Sequence, residues 1–151
     1  MTARMDLSAT APAAYKAMIA LDSRSLQGPL PTTLLDLVKL RASQINGCAY
    51  CVDSHSADLR TAGESESRIA GVAAWQEGPF FTADERAALA LTETMTRLSE
   101  GGDRVPTDTW DQAHKAFGDE GMGQLVMVIT TINAWNRISV ATRMVPESYA
   151  D

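Results

Sequence analysis

The chain has 151 residues, a net charge of −6 at pH 7 and 45% hydrophobic residues. That length and apolar content suit one compact domain with its own core and exclude a disordered chain. The acidic balance, with no cluster of basic residues, excludes nucleic acid and anionic membrane surfaces as partners.

The first thirty residues lack the basic start and long apolar run of a signal peptide. The longest apolar stretch, 122–135, is interrupted by Gly123, Gln124, Thr130, Thr131 and Asn133. It is too short and too polar to span a bilayer. A cytoplasmic location is the expectation. Two cysteines in a reducing compartment then read as catalytic or metal-binding rather than as a structural staple.

In chain order, residues 1–11 read as a loose leader, 12–146 as one helical domain and 147–151 as a tail. Pro12 suits a first helical turn, and an Ala-rich helix runs to about Ser25 before Gly28-Pro29 breaks it. A second helix opens at Pro31-Thr32-Thr33, with Leu34, Leu37, Val38, Ala42 and Ile45 at helical spacing. Asn46-Gly47 ends it, because both residues tolerate left-handed backbone. The next helix starts at once with Cys48 and runs to about Ala62. Its apolar stripe is Cys48, Cys51, Val52, His55, Leu59 and Ala62, with Asp53, Asp58 and Arg60 directed elsewhere.

A short helix carries Ile69, Val72 and Ala73 inward, with Trp75 near its end. Thr82-Ala-Asp-Glu85 has a capping-box pattern and starts a helix with Ala88, Leu91, Met95 and Leu98 in register. Pro106 begins another, whose apolar face includes Trp110, Ala113, His114 and Phe117. Gly118 and Gly121 punctuate before a last helix from about Met122 to Met144. The expectation is an all-α fold of six to seven helices. The final helix is apolar on several faces, which places it in the domain centre or in a subunit contact.

The chemistry concentrates in Cys48-Ala-Tyr-Cys51-Val-Asp-Ser-His55, which holds the only two cysteines of the chain. On a helix these three side chains share one face. Cysteines at i and i+3 have α-carbons about 5 to 6 Å apart, within disulfide range. Amide N–H groups at the helix start favour a Cys48 thiolate. His55 lies four residues beyond Cys51 and can act as its base. Dipole and imidazole thus favour different sulfurs, and we take Cys51 as the peroxide-attacking thiol and Cys48 as the resolving one. A thiolate that attacks a peroxide becomes a sulfenic acid, which the second thiol converts to a disulfide. Two readings compete with a peroxidase: a dithiol redox-sensing or disulfide-exchange protein with little peroxide turnover, and a zinc-stabilised helical module. Cys48, Cys51 and His55 supply three ligands, and only His114 or a carboxylate could complete it. No metal or cofactor is expected. His114 itself reads as a packed histidine beside Trp110 and Phe117.

The run Leu34-Leu-Asp-Leu-Val-Lys-Leu-Arg-Ala-Ser-Gln-Ile-Asn-Gly-Cys-Ala-Tyr-Cys-Val-Asp-Ser-His55 resembles the core motif of the alkylhydroperoxidase AhpD-like, or carboxymuconolactone decarboxylase, superfamily. Ala73-Ala-Trp75, Pro79-Phe-Phe-Thr82 and Ile132-Asn-Ala-Trp-Asn-Arg137 match as well. The resemblance implies an all-α AhpD-like domain that assembles through helical faces into a homo-oligomer, a trimer or hexamer. It implies thiol-dependent reduction of a hydroperoxide substrate, with an external dithiol or redox protein as reductant. It also implies a proton relay through the histidine from a carboxylate twelve residues before the first cysteine, which is Asp36 here and Glu in better-known members. Tyr50 stands where some members have a second histidine. Members that act as decarboxylases lack the cysteine pair. On the helical wheel Asp36 lies opposite the Leu34, Val38, Ile45 stripe, near Lys39 and Ser43, a solvated face unless both sides of that helix are packed. Phe80, Phe81, Trp135 and Asn136 are the expected pocket wall.

Overall fold

Thr32–Asn46 (α3) is the axis of the molecule, and every residue from Leu34 to Leu40 is buried. Around it the computed structural model, which describes residues 2–149, arranges Leu7–Thr10 (α1), Pro12–Ser25 (α2), Ala49–Thr61 (α4), Glu66–Gly71 (α5), Ala83–Thr96 (α6) and Thr107–Thr142 (α7). Met1 of the expected leader and Ala150 and Asp151 of the expected tail lie outside the described residues. Among the described residues there is no strand, and no helix is long and apolar enough to cross a membrane.

Two apolar clusters flank α3. On one side Leu34, Leu35 and Val38 meet Ala88 and Leu91 of α6 and Leu125, Val128 and Ile129 of α7. On the other, Leu37 and Leu40 meet Leu59 of α4, Ile69, Val72, Trp75, Phe81 and Leu89. Each fully buried Leu or Ile stabilises by roughly 1.5–3 kcal/mol, so these side chains supply most of the driving force that fixes α3 between its neighbours.

Local signals set the boundaries. Gly47 takes a left-handed conformation (φ 66°, ψ 32°) and closes α3, as the Asn-Gly pair predicts. Thr82 and Glu85 form the reciprocal capping box at the start of α6. The long α7 bends at Gly118 (φ 61°, ψ −176°), so the two helices expected there are continuous except at this residue.

Three details differ from expectation. Residues 7–10 of the leader form a helical turn capped by the Asp6 carboxylate. Leu98 is exposed, because the backbone leaves the α-helical region at Arg97 and turns the next residue outward. In the segment before Gly118 only Ala113 is fully buried, and Trp110 and His114 face solvent. That segment presents a narrow stripe to the core, too narrow to cover its whole apolar set.

Candidate active site

The turn from α3 to α4 fixes the two sulfurs. With α3 stopped at Gly47, Cys48 adopts extended backbone (φ −86°, ψ 97°) and becomes the N-cap of α4 rather than a residue of its first turn. Its Sγ accepts a hydrogen bond from the Cys51 amide at 3.3 Å. A free N-terminal N–H aimed at sulfur stabilises negative charge there. The two cysteines form a disulfide with α-carbons 5.4 Å apart, inside the range expected for i and i+3.

Side-chain amides hold this corner against α7. Asn46 Nδ2 donates to Asn133 Oδ1 (2.9 Å) and Asn136 Oδ1 (2.8 Å), and Asn136 Nδ2 donates to Ser43 Oγ (3.0 Å). Asn136 is fully buried, so losing any partner would strand a polar group in the core. The sulfurs pack in an apolar patch with Ala42 and Ile132, edged by Tyr50 and Trp135.

A cleft of about 260 Å³ opens beside Cys51. Tyr15 and Ile19 of α2 and Ile132 and Trp135 of α7 form apolar walls, and Cys51 and His55 face into it. The Tyr15 and Trp135 rings meet edge to face with centroids 5.5 Å apart. Cys48 does not line this cleft. It borders a second one of about 220 Å³, between the α4 start and Ser139, Val140 and Arg143.

Charged groups gather below the first cleft. Asp36 is buried, and Lys39, also buried, donates to its Oδ1 at 3.1 Å. Asp36, His55 and Asp58 bring one ligand atom each within 4.8 Å of one another. His55 Nδ1 lies 3.3 Å from Asp58 Oδ2. Burial holds the His55 imidazole below its ordinary value of 6.5, Lys39 adds to that effect, and Asp58 and Asp36 oppose it. Burial and Lys39 thus favour the neutral ring, the form able to accept a proton. Asp22 reaches the cleft from α2, and burial raises its carboxyl while Lys39 and the Trp135 indole work in the other direction. Burial and the neighbouring Glu147 carboxylate raise the Tyr50 phenol, which stays protonated and is no base.

A model of the carboxymuconolactone decarboxylase family matches residues 12–94. The chain belongs to that family. It is 38% identical over 141 residues to the uncharacterized protein YdfG of Bacillus subtilis (strain 168), covering 93% of this chain and 95% of the relative. A crystal structure of an Agrobacterium tumefaciens protein of unknown function, provisionally linked to antioxidant defence as AhpD, aligns with a TM-score of 0.91 at 36% identity, over 96% of this chain and 98% of that one. The alkylhydroperoxidase AhpD core of an uncharacterized peroxidase-related protein from Ralstonia eutropha JMP134 gives a TM-score of 0.80 at 21% identity, over 93% of this chain and 74% of that one, and shares the fold. The AhpD-like all-helical fold expected from the motif is the one observed.

Against that family pattern, all four sequence-selected residues come together. Cys48, Cys51 and His55 lie along one side of α4, and Asp36 meets His55 from α3. The solvated-face reading of Asp36 fails, because α3 is packed on every side within the single chain. Asp58, expected to point elsewhere, bonds His55; a carboxylate three residues beyond a histidine on a helix was a usable signal. Lys39 had the same signal relative to Asp36, whereas nothing local marked Asp22.

The expected wall is right only at Trp135. Asn136 is spent on the corner network. Phe80 and Phe81 pack against each other, and Phe81 lies under the Arg68 guanidinium at 5.2 Å, away from the cleft. His114 is exposed, 2.6 Å from Asp119, and lines a separate groove with Trp110, so it completes no site with the cysteines.

Proposed function

We propose that the protein is a thiol-dependent peroxidase that reduces organic hydroperoxides. The observation that carries this reading is the apolar cleft into which Cys51 and His55 both face, with the Cys48 sulfur already bonded behind Cys51. Reduction of the disulfide frees both thiols. Neutral His55 takes the Cys51 proton, with Asp36 and Asp58 stabilising the imidazolium that forms. The Cys51 thiolate attacks the outer oxygen of the hydroperoxide. The O–O bond breaks, the alkoxide leaves and takes a proton to become an alcohol, and Cys51 becomes a sulfenic acid. Cys48 sulfur then displaces hydroxide from Cys51 sulfur, giving the disulfide and water. An external dithiol or redox protein returns two electrons by thiol–disulfide exchange.

The apolar walls of Tyr15, Ile19 and Trp135 favour a hydroperoxide with a hydrocarbon body over hydrogen peroxide. Possession of both cysteines speaks against lactone-acid decarboxylation. In this reading the protein works in the reducing cytoplasm. It functions as a trimer or hexamer, in which exposed Trp110, Met127 and Val140 on α7 become subunit contacts; light scattering on the purified protein measures that mass.

The decisive assay follows hydroperoxide consumption with an external dithiol for wild type, Cys48→Ser and Cys51→Ser, with free thiols counted before and after peroxide. Both variants should lose turnover. Full activity in either one rules out the two-cysteine cycle. Reversible disulfide formation without peroxide turnover would make the protein a disulfide-exchange partner instead.

A further inference from the structure

Lys39 has no place in the dithiol cycle, yet it is buried at its centre. A buried ammonium is costly unless it is paired, and Lys39 has one carboxylate bond, to Asp36 at 3.1 Å. It approaches from α3, below a ring supplied by α4. Its charge also reaches Asp22, which lines the cleft from α2.

We propose that Lys39 is a positioning residue for His55, a buried cation held by Asp36 that keeps the imidazole in its neutral, proton-accepting form. The inference rests on the peroxidase reading for its kinetic consequence, though not for its effect on the ring.

The surrounding charges make the case. On its own helix His55 faces Asp58 and Cys51. From α3 it faces Asp36, whose Oδ1 is bonded by Lys39 at 3.1 Å, and from α2 the cleft receives Asp22 and Tyr15. From α7 it meets Trp135 and Ser139, which carry no charge, and the Glu147 carboxylate beyond them is engaged by Tyr50. Without Lys39 the charges around the imidazole would be carboxylates alone. Such a site stabilises imidazolium, and imidazolium cannot accept the Cys51 proton. Lys39 supplies the missing positive charge and bonds one oxygen of Asp36, the carboxylate that meets the ring from α3. When the proton leaves Cys51 Sγ for His55, the imidazolium forms beside carboxylates whose charge is only partly neutralised, so the transfer stays reversible and His55 can return the proton.

The test compares wild type, Lys39→Met and Lys39→Arg in kcat/KM against pH, with cumene hydroperoxide and dithiothreitol. Lys39→Met should lose activity roughly tenfold near pH 6.5 and come within about twofold of wild type near pH 9, because a histidine that holds its proton more tightly needs higher pH to act as a base. Lys39→Arg keeps the cation and should restore the wild-type profile shape. A loss that is equal at every pH would show a purely structural lysine and overturn the proposal. Lys39→Gln carries the same expectation and retains a hydrogen bond to Asp36 if the methionine variant fails to fold. The second readout needs no turnover. In a His114→Gln background, NMR titration of the remaining imidazole in the reduced protein should move to higher pH in Lys39→Gln. An unmoved midpoint overturns the role of Lys39, whereas a moved midpoint with no peroxide turnover overturns only the peroxidase reading.

Discussion

Two ion clusters hang on α3, and they are built differently. In the first, Arg41 donates to Glu93 through Nε (2.8 Å) and Nη2 (2.6 Å), Trp75 Nε1 donates to the same oxygen at 2.7 Å, and Arg97 takes the other at 2.9 Å. Arg41 Nη1 also reaches the Ala73 carbonyl. Burial would raise the Glu93 carboxyl, yet the bonds from Trp75 and Arg41 hold it below the usual value. In the second, Asp36 and Lys39 share one bond, and His55 and Asp58 meet at a long 3.3 Å. The first cluster has its charges and donors matched and borders no opening beside the sulfurs. The second is sparsely bonded and lies next to a cleft. Saturated charge is architecture. Charge with spare valence can move a proton.

That contrast breaks if substitutions in the two clusters have the same effect. The largest expected effect lies beside the second one. Cys51→Ser should lower hydroperoxide turnover on the order of 1000-fold or more, as removal of a nucleophile does, while its urea midpoint stays near that of the reduced wild type. Glu93→Ala should do the reverse. It strands Arg41 and the Trp75 indole in a buried site and should cost about 3 kcal/mol or more in urea unfolding, with turnover per folded molecule unchanged. A Glu93→Ala protein that is stable but slow would erase the distinction.

His55→Gln sharpens it further. Loss of the base should reduce kcat/KM roughly 100-fold at neutral pH. The same change tests linkage. The His55 ring is held below its ordinary value of 6.5, so the unfolded chain binds that proton more tightly. Its contribution to stability is present above that value and is lost as pH falls through the lower folded one. Unfolding free energy of wild type should therefore drop across that acid range more steeply than that of His55→Gln, when both are followed by urea melts.

What the sequence made legible was local. The i, i+3, i+7 spacing put Cys48, Cys51 and His55 along one side of a helix, Asn46-Gly47 announced the stop before Cys48, and Thr82 with Glu85 announced the α6 start. The direction of Asp36 was not legible, because a carboxylate opposite an apolar stripe normally faces water. Here α3 is buried on all sides, a property of its neighbours rather than of its own pattern. Asp22 was passed over for the same reason, whereas Lys39 and Asp58 each stood three residues from a partner on their own helix and were read only as solvated charges. Trp110 and His114 erred in the other direction, since an apolar face on a surface helix need not be covered by its own chain.

The smallest expected effect lies at Gly47, which ends the helix that carries both clusters. Its φ of 66° strains any residue with a Cβ, but an added methyl meets nothing within 4 Å. Gly47→Ala should therefore cost about 1 kcal/mol of backbone strain without a clash. The last turn of α3 feels that strain through two bonds, Gly47 N to the Gln44 carbonyl at 3.3 Å and Cys48 N to the Ser43 carbonyl at 3.0 Å. Gln44 also accepts from Arg41, and Ser43 anchors Asn136, so the loosened turn touches the saturated cluster and the sulfur corner alike. In the peroxidase reading only the corner has chemistry to lose. Urea melts should show both Gly47→Ala and Gly118→Ala destabilised, Gly118→Ala the more, because its φ 61°, ψ −176° lies in a region almost closed to residues with a Cβ. Stopped-flow reoxidation should then show slower disulfide closure in Gly47→Ala alone, because Cys48 sulfur must meet Cys51 from a cap that Gly47 places. Equal closure rates in the two variants would mean that the α4 N-terminus positions Cys48 without help from the turn.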